Sequence, residues 1–255
     1  MLRPTLTRFH RILAVALLLA VQAVATGNSG LLLSVASALA VVIGLGVTFP
    51  QLSLFGPFLC RGAGDRRRVA LTFDDGPDPR STPALLDLLR EAGVPAAFFC
   101  VGQKVAAHPQ LAARIVSEGH LLENHSYTHS HLTNFFGITR LKREMELAQS
   151  AIREATGVTP ALFRPPMGLS NPRVFAAAQS LGLRVIGWSA RGLDTLTRDP
   201  DRVVARIVRK LKPGAILLLH DGNIPVEQLV MTVRRLLTSL HEHGYEVVRL
   251  DKLLE

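Results

Sequence analysis

The sequence predicts an α/β protein, a small parallel barrel preceded by one or two N-terminal transmembrane helices. Of its 255 residues, 48% are apolar and 19% are charged, which excludes disorder for most of the chain. Residues 12–60 contain no charged side chain at all. Beyond them, short apolar runs alternate with longer amphipathic stretches that end at glycine or proline. This alternation is typical of βα units.

The uncharged region contains two apolar blocks, Ile12–Ala25 and Leu31–Phe49, separated by turn-forming residues. The second approaches the ~20 residues that span a bilayer, and the first is shorter. One interpretation is a helical hairpin. The other is a signal peptide plus an anchor, with residues 23–25 as an A-x-A cleavage site behind three arginines. These arginines are Arg3, Arg8 and Arg11. Neither block has a polar face, which argues against two buried helices of a soluble protein.

The orientation of a membrane anchor is predicted from the basic residues that flank it. Arginines precede the first block and follow the second, and short basic segments tend to stay in the cytoplasm. A hairpin would therefore leave the barrel on the cytoplasmic face of a bacterial-type inner membrane. Cleavage after Ala25, or a single span, would instead place it outside. Because the first block is short and ends in a cleavage motif, we expect an extracytoplasmic barrel.

Domain boundaries follow from composition: residues 1–50 are membrane segment or signal peptide, 51–67 a glycine- and proline-rich linker, and 68–255 the main domain. We predict seven strands in that domain: Val69–Phe73, Ala96–Val101, Leu121–Asn124, Leu162–Arg164, Val185–Gly187, Ile216–His220 and Glu246–Leu250. We predict six helices between them: Thr82–Glu91, Gln110–Ser117, Arg140–Thr156, Arg173–Leu181, Asp201–Lys210 and Glu227–Glu242. Seven strands separated by helices favour a parallel barrel over a sandwich.

Reactive side chains follow the predicted strands, where the βα loops of a barrel meet. Asp74 and Asp75 come directly after the first strand, although such a pair alone is more typical of a turn and a helix cap. His125 and His129 follow the third strand at the spacing of paired imidazole ligands. Either aspartate could complete a site of two histidines and one carboxylate. Two further strands end at an arginine and a histidine, Arg164 and His220.

Five motifs in this order resemble the polysaccharide deacetylases of the NodB-homology type, a carbohydrate esterase family, over about Val69 to Leu254. They are TFDDGP at residues 72–77, HSYTH at 125–129, RPPMG at 164–168, an altered fourth motif at 188–195 and LLLH at 217–220. The resemblance implies a distorted (β/α) barrel that removes acetyl groups from N-acetylated sugars with the help of a divalent metal, Zn²⁺ being favoured. Residues 68–255 are then the catalytic domain.

The resemblance also implies a role for each motif residue. Asp75, His125 and His129 become the metal ligands. Asp74 becomes the general base, His220 the general acid, and Arg164 the group that orients Asp74 and keeps it ionised. The backbone N–H of Met167, on a loop stiffened by Pro165, becomes an oxyanion donor. Since strand side chains alternate, Leu218 shares the face of His220 and is expected to contact the acetyl methyl, while Leu217 and Leu219 pack outward.

The fourth motif departs from the family pattern. Arg191 stands where the family carries the carboxylate expected to tune the acid histidine, and a cation there would lower the pKa of His220. Asp194 is the candidate that compensates. Thr195 replaces the tryptophan that walls the acetyl pocket in the family. These departures affect the expected rate and substrate more than metal binding.

Other functions remain as alternatives to a membrane-tethered deacetylase with a carbohydrate substrate and membrane lipid as partners. An inactive barrel that binds glycans is favoured only by Arg191. Nucleic-acid binding is favoured only by the net charge of +9, since the basic helical residues lack interleaved aromatics, so no nucleic-acid partner is expected. Two cysteines are too few for a disulfide scaffold.

Overall fold

The structure is a computed structural model that describes residues 7–64 and 66–255. Arg3 and residue 65 of the predicted linker lie outside the described residues. The helices are α1 (Arg8–Ala25), α2 (Ser29–Thr48), α3 (Thr82–Ala92), α4 (Gly102–Ala107), α5 (Pro109–Ser117), α6 (Ile138–Thr156), α7 (Pro172–Ser180), α8 (Pro200–Val208), α9 (Val226–Glu242) and α10 (Leu250–Leu253). The strands are β1 (Phe58–Leu59), β2 (Arg68–Asp74), β3 (Ala97–Cys100), β4 (Leu121–Asn124), β5 (Leu162–Phe163), β6 (Arg184–Ile186), β7 (Ala190–Arg191), β8 (Ala215–His220) and β9 (Glu246–Val247).

The strands form one curled parallel sheet in the order β1-β6-β5-β4-β3-β2-β8-β7, with β9 also paired to β2. This confirms the predicted distorted barrel. β2 lies between β3 and β8, and Asp74 is in register with Phe99 on one side and His220 on the other. The carboxyl ends of β2 and β8 therefore bring these two reactive residues to the same level.

The alternation of side chains in the strands divides the core into an inner and an outer part. Ala70, Phe99 and Ile216 belong to a buried cluster inside the curled sheet. Leu217 and Leu219 belong instead to the cluster that packs against the helices. This confirms the outward packing predicted for both leucines and leaves Leu218 on the inner face with His220.

The structure differs from the predicted elements at short segments. β1 lies within the predicted linker, where Phe58 and Leu59 pair with Val185 and Ile186. β7 and α4 were not predicted, and the strand predicted at Glu246–Leu250 ends at Val247, followed by α10. In each case the segment is too short to show its own periodicity and is held by tertiary contacts.

α1 and α2 are long and apolar enough to cross a membrane, and few of their residues are buried. Contacts at the open end of this hairpin join it to the chain leading to β1. The Phe9 N–H donates to the Leu54 carbonyl at 3.0 Å, and the Phe9 and Phe55 rings meet edge to face at 5.2 Å. Because β1 runs parallel to β6, the chain enters the barrel at the amino-terminal ends of the strands.

Candidate active site

The adjacent carboxylates of Asp74 and Asp75 face the same side chain. Neighbouring residues of a regular strand point to opposite faces, but Asp75 has a left-handed φ of 72°. The turn brings Asp75 Oδ1 to 3.5 Å and Asp74 Oδ2 to 3.8 Å from His125 Nε2. This conformation is uncommon for a residue other than glycine, so the surrounding loops must hold it.

Asp75, His125 and His129 form a cluster whose candidate ligand atoms all lie within 4.8 Å of one another. His129 Nε2 is 3.2 Å from Asp75 Oδ1. His129 itself has a positive φ of 50°, which turns the chain after the β4 loop. The predicted pair of histidines and the predicted aspartate are thus brought together.

The tautomer of His125 follows from its backbone partner. Its Nδ1 lies 2.6 Å from the Arg164 carbonyl oxygen, which can only accept, so Nδ1 carries the hydrogen. Nε2, on the other side of the ring, then faces Asp75. Two imidazoles and one carboxylate with such an outer partner suit a divalent metal ion and leave room for water. These three side chains could therefore hold the implied ion.

Asp75 and His129 are in the protonation states that suit a metal ion. Burial raises the pKa of Asp75, but the hydrogen bond from His125 and the histidine charges lower it to below its ordinary value. Burial and the charge of His125 lower the pKa of His129 to about 4. An ionised carboxylate and a neutral imidazole are the forms that bind a cation.

Arg164 is fully buried and pairs with the buried Asp74. Its guanidinium donates to Asp74 Oδ1 at 2.6 Å and to Thr72 Oγ1 at 2.9 Å, and lies 4.0 Å from the Phe99 ring centroid. Burial lowers the pKa of Arg164, yet arginine stays charged at neutral pH. One residue therefore orients Asp74 through its side chain and His125 through its carbonyl.

His220 is paired with Asp194. Its Nδ1 is 3.1 Å from Asp194 Oδ1, and its backbone N–H donates to Asp194 Oδ2 at 2.8 Å. Burial lowers the pKa of His220, but the bond to Asp194 and the nearby carboxylate charges outweigh it and raise the pKa to about 9. His220 is protonated at neutral pH.

Arg191 does not fill the place that its position in the motif suggested. It is exposed and lies over Trp188, 5.8 Å from the ring centroid, while Asp194 alone bonds the His220 side chain among the described residues. Asp221 points elsewhere, and its Oδ2 accepts from the Thr82 hydroxyl at 2.6 Å. The compensation expected from Asp194 is therefore present in the geometry.

The residues predicted to contact substrate lie on the loop after β5 and on β8. The Pro165 carbonyl accepts from the Gly168 N–H at 3.0 Å, which closes a tight turn. Met167, in that turn, has a φ of 61° and is 58% exposed. Leu218 is buried on the inner face of β8. Their contacts with a substrate stay predictions.

Two residues near the site were given no role from the sequence, although one of them, Trp188, begins the altered fourth motif. Trp188 lies 5.8 Å from the Arg164 guanidinium and packs so closely on Gly168 that a Cβ there would clash with its ring. Two features of the sequence could have identified Trp188: it follows β6, and it is the only tryptophan of the chain. Lys104 donates to the Asp75 carbonyl at 2.6 Å, and no motif pointed to it.

Comparisons with known proteins agree with this geometry. A family model described as polysaccharide deacetylase matches residues 61–186. A chitooligosaccharide deacetylase of Bradyrhizobium sp. is 37% identical over 199 residues, covering 73% of this chain and 90% of that protein. A peptidoglycan-N-acetylglucosamine deacetylase of Bacillus cereus is 36% identical over 188 residues, covering 73% and 87%.

Solved structures share the fold. A pseudoenzyme of carbohydrate esterase family 4 from Bacillus anthracis has a TM-score of 0.72 at 27% identity, covering 78% of this chain and 69% of that one. A family 4 carbohydrate esterase from Streptomyces lividans, in complex with acetate, has a TM-score of 0.66 at 33% identity, covering 73% and 93%. The chain belongs to the polysaccharide deacetylase family and is an enzyme of the deacetylase class.

Proposed function

We propose that the barrel is a metal-dependent hydrolase that removes N-acetyl groups from an amino-sugar-containing glycan or a lipid-linked sugar. The observation that carries this proposal is the cluster of Asp75, His125 and His129 beside the ion-paired Asp74, across from the paired His220. A ligand set, a base and an acid at one end of one sheet are what amide hydrolysis needs. The named relatives are deacetylases of chitooligosaccharide and of peptidoglycan N-acetylglucosamine.

In this mechanism, water adds to the acetyl carbon, the C–N bond breaks, and acetate and a free amine leave. Asp75, His125 and His129 would hold a divalent ion such as Zn²⁺, which would lower the pKa of a water molecule and polarise the acetyl carbonyl. Asp74, held by Arg164, accepts the water proton. His220, protonated with a pKa of about 9, donates a proton to the leaving amine.

The loop and strand residues around these groups would hold the acetyl group. The Met167 N–H is proposed to donate to the developing oxyanion, on a turn fixed by Pro165. Leu218, on the inner face with His220, is proposed to contact the acetyl methyl. Trp188 lies close to Arg164 and Gly168, and we propose that it forms the apolar wall of the acetyl pocket that Thr195 does not provide.

We further propose that α1 and α2 anchor the barrel to a membrane through contact with lipid, and that the barrel is cytoplasmic. The contacts of Phe9 with Leu54 and Phe55 support a retained hairpin, whose two ends lie on one side. Contrary to the expectation from the sequence, cleavage after Ala25 would place the barrel outside only if α2 did not span the membrane, because a spanning α2 would cross back toward its basic flank. We therefore favour this side over the extracytoplasmic one expected from the sequence.

Metal analysis of the purified full chain tests the ligand set. We expect about one divalent ion per chain, the stoichiometry of a single site with three protein ligands, and its loss in Asp75→Ala, His125→Ala and His129→Ala. Asp74→Asn is the matched control, since it removes a charge beside the cluster and should keep the ion. Full metal occupancy in all three ligand variants would refute the assignment.

Acetate release tests the reaction. The panel contains chitin oligomers, peptidoglycan and a lipid-linked N-acetylated sugar, each with chelated enzyme before and after Zn²⁺ is added back. We expect release only with metal, and a loss of about 10²–10⁴ in rate for Asp74→Asn. A folded, metal-loaded enzyme that releases no acetate from any of them, but retains glycan, would favour the inactive glycan-binding alternative.

A further inference from the structure

The start of α4 bonds to the loop that carries Asp75, although residues 101–104 contribute no candidate ligand. The Val101 N–H donates to the Gly76 carbonyl at 2.9 Å. The Lys104 ammonium donates to the Asp75 carbonyl at 2.6 Å. Backbone and side chain of one short segment thus hold both carbonyls of the turn at the end of β2.

The same segment bonds to the loop that carries the two histidines. The Gly102 N–H donates to the Ser126 carbonyl at 2.9 Å, and the Gln103 N–H donates to the Tyr127 carbonyl at 3.0 Å. A Cβ on Gly102 would clash with the Tyr127 ring and with Ala148. The segment therefore fixes the spacing between the loop of Asp75 and the loop of His125 and His129.

Asp75 needs such support because its backbone is in the left-handed region, with φ 72°. This region is disfavoured for residues that carry a Cβ. Gly222 also packs against this peptide, so closely that a Cβ there would clash with the Asp75 carbonyl. The peptide after Asp75 is thus fixed by its contacts with Gly222 and with the Lys104 ammonium.

We propose that Lys104 is a positioning residue for the metal site. Its ammonium fixes the Asp75 carbonyl, and thereby keeps the Asp75 carboxylate directed at His125 and His129 before any ion binds. The inference rests on the proposed metal site, and it adds to that site a residue outside the family motifs. Lys104 acts through the Asp75 backbone and has no contact with the reacting atoms.

Zn²⁺ affinity, measured by competition with a chromogenic chelator on the full chain, tests this role. Lys104→Met keeps the aliphatic stem and removes the donor, and we expect its Zn²⁺ affinity to fall about 10- to 100-fold, the usual effect of losing an outer-shell partner. Lys104→Arg retains a donor and should stay within about threefold of the wild type. Lys142→Met, at a lysine that pairs with Glu146 on the surface of α6, is the matched control and should bind Zn²⁺ as the wild type does.

The thermal midpoint of each metal-free variant separates positioning from folding. If Lys104 positions the metal site, adding Zn²⁺ should raise the thermal midpoint of Lys104→Met less than that of Lys104→Arg. If Lys104→Met does not fold, Gly222→Ala, whose added methyl group would displace the Asp75 carbonyl, should weaken Zn²⁺ binding instead. Unchanged affinity in the folded variant, or equal losses in Lys104→Met and Lys104→Arg, would overturn the proposal. A wild type that binds no Zn²⁺ would overturn the metal site itself.

Discussion

The charge of His220 depends most on Asp194, and this should limit activity at high pH. With a pKa of about 9, His220 can donate its proton up to that pH. Asp194→Asn removes the carboxylate that raises this pKa, so burial should lower it and the alkaline limb of the pH–rate profile should move to lower pH. The measurement is kcat/KM between pH 6 and 10.

The same pair should leave a signature in stability that does not depend on activity. Because the pKa of His220 is raised from 6.5 to about 9 by folding, the stabilisation is complete below pH 6.5 and is lost as the pH rises through 9. The difference in thermal unfolding midpoint between the wild type and Asp194→Asn should therefore decrease as the pH rises from 6.5 to about 9. An identical pH–rate profile in both proteins would show that another group tunes His220.

At the scale of single residues, the sequence predicted the side chains that the structure brings together at the candidate site. Asp74, Asp75, His125, His129 and His220 stand at strand ends in recognisable motifs, and parallel strands bring their ends together. Lys104 could not be predicted, because it acts on a backbone carbonyl of a residue 29 positions away. Such a contact leaves no pattern in the sequence.

Among the elements, β5 depends on a side chain of its neighbour. It has two residues, and Phe163 pairs with Asn124 of β4. Glu123 adds to this pairing, since its Oε2 accepts from the Ala161 and Leu162 N–H groups at 3.0 and 2.8 Å. Burial raises the pKa of Glu123 to about 7, although the two hydrogen bonds from the backbone act to lower it.

Glu123→Gln should therefore change how stability depends on pH. A carboxyl whose pKa is raised by folding binds more protons in the folded state, so the wild type should lose stability as the pH rises from 4.5 to about 7. Glutamine keeps an acceptor for the two N–H groups and does not titrate, so the variant should lack this loss. Urea unfolding at pH 4.5, 6 and 8 measures the difference, with the exposed Glu154→Gln as the control. Parallel pH curves for all three proteins would contradict the prediction.

The long elements were predicted correctly because they have enough residues to show a period, whereas β5 was predicted although it has only two residues. β2, β8 and the long helices α6 and α9 carry their own patterns of apolar residues. β1 and β7 have two residues each and become strands only because β6 and β8 lie beside them. The sequence alone could not indicate them.

For the whole molecule, the arrangement of α1 and α2 predicts on which side of the membrane the barrel lies. Alkaline phosphatase fused after Glu255 should be inactive, and a fluorescent protein fused there should be bright, since both ends of a hairpin with basic flanks stay in the cytoplasm. Phosphatase fused at Asn28, in the turn between the helices, is the control and should be active. Active phosphatase after Glu255 would show that the barrel is exported.

Because the chain enters the barrel at the amino-terminal ends of the strands, the candidate site lies at the end of the barrel that is far from the membrane anchor. β2 has seven residues, and at about 3.3 Å per residue the candidate site lies roughly 20 Å from the end of the barrel to which the hairpin is joined. The opening of the site then faces bulk solution rather than the headgroups beside the anchor. Of the two proposed substrate classes, a sugar joined directly to a lipid of the same leaflet would meet the wrong end of the barrel. This geometry therefore favours a free oligosaccharide, which could approach without any reorientation of the protein. The hairpin would then keep the enzyme at the membrane, while the substrate arrives from the solvent.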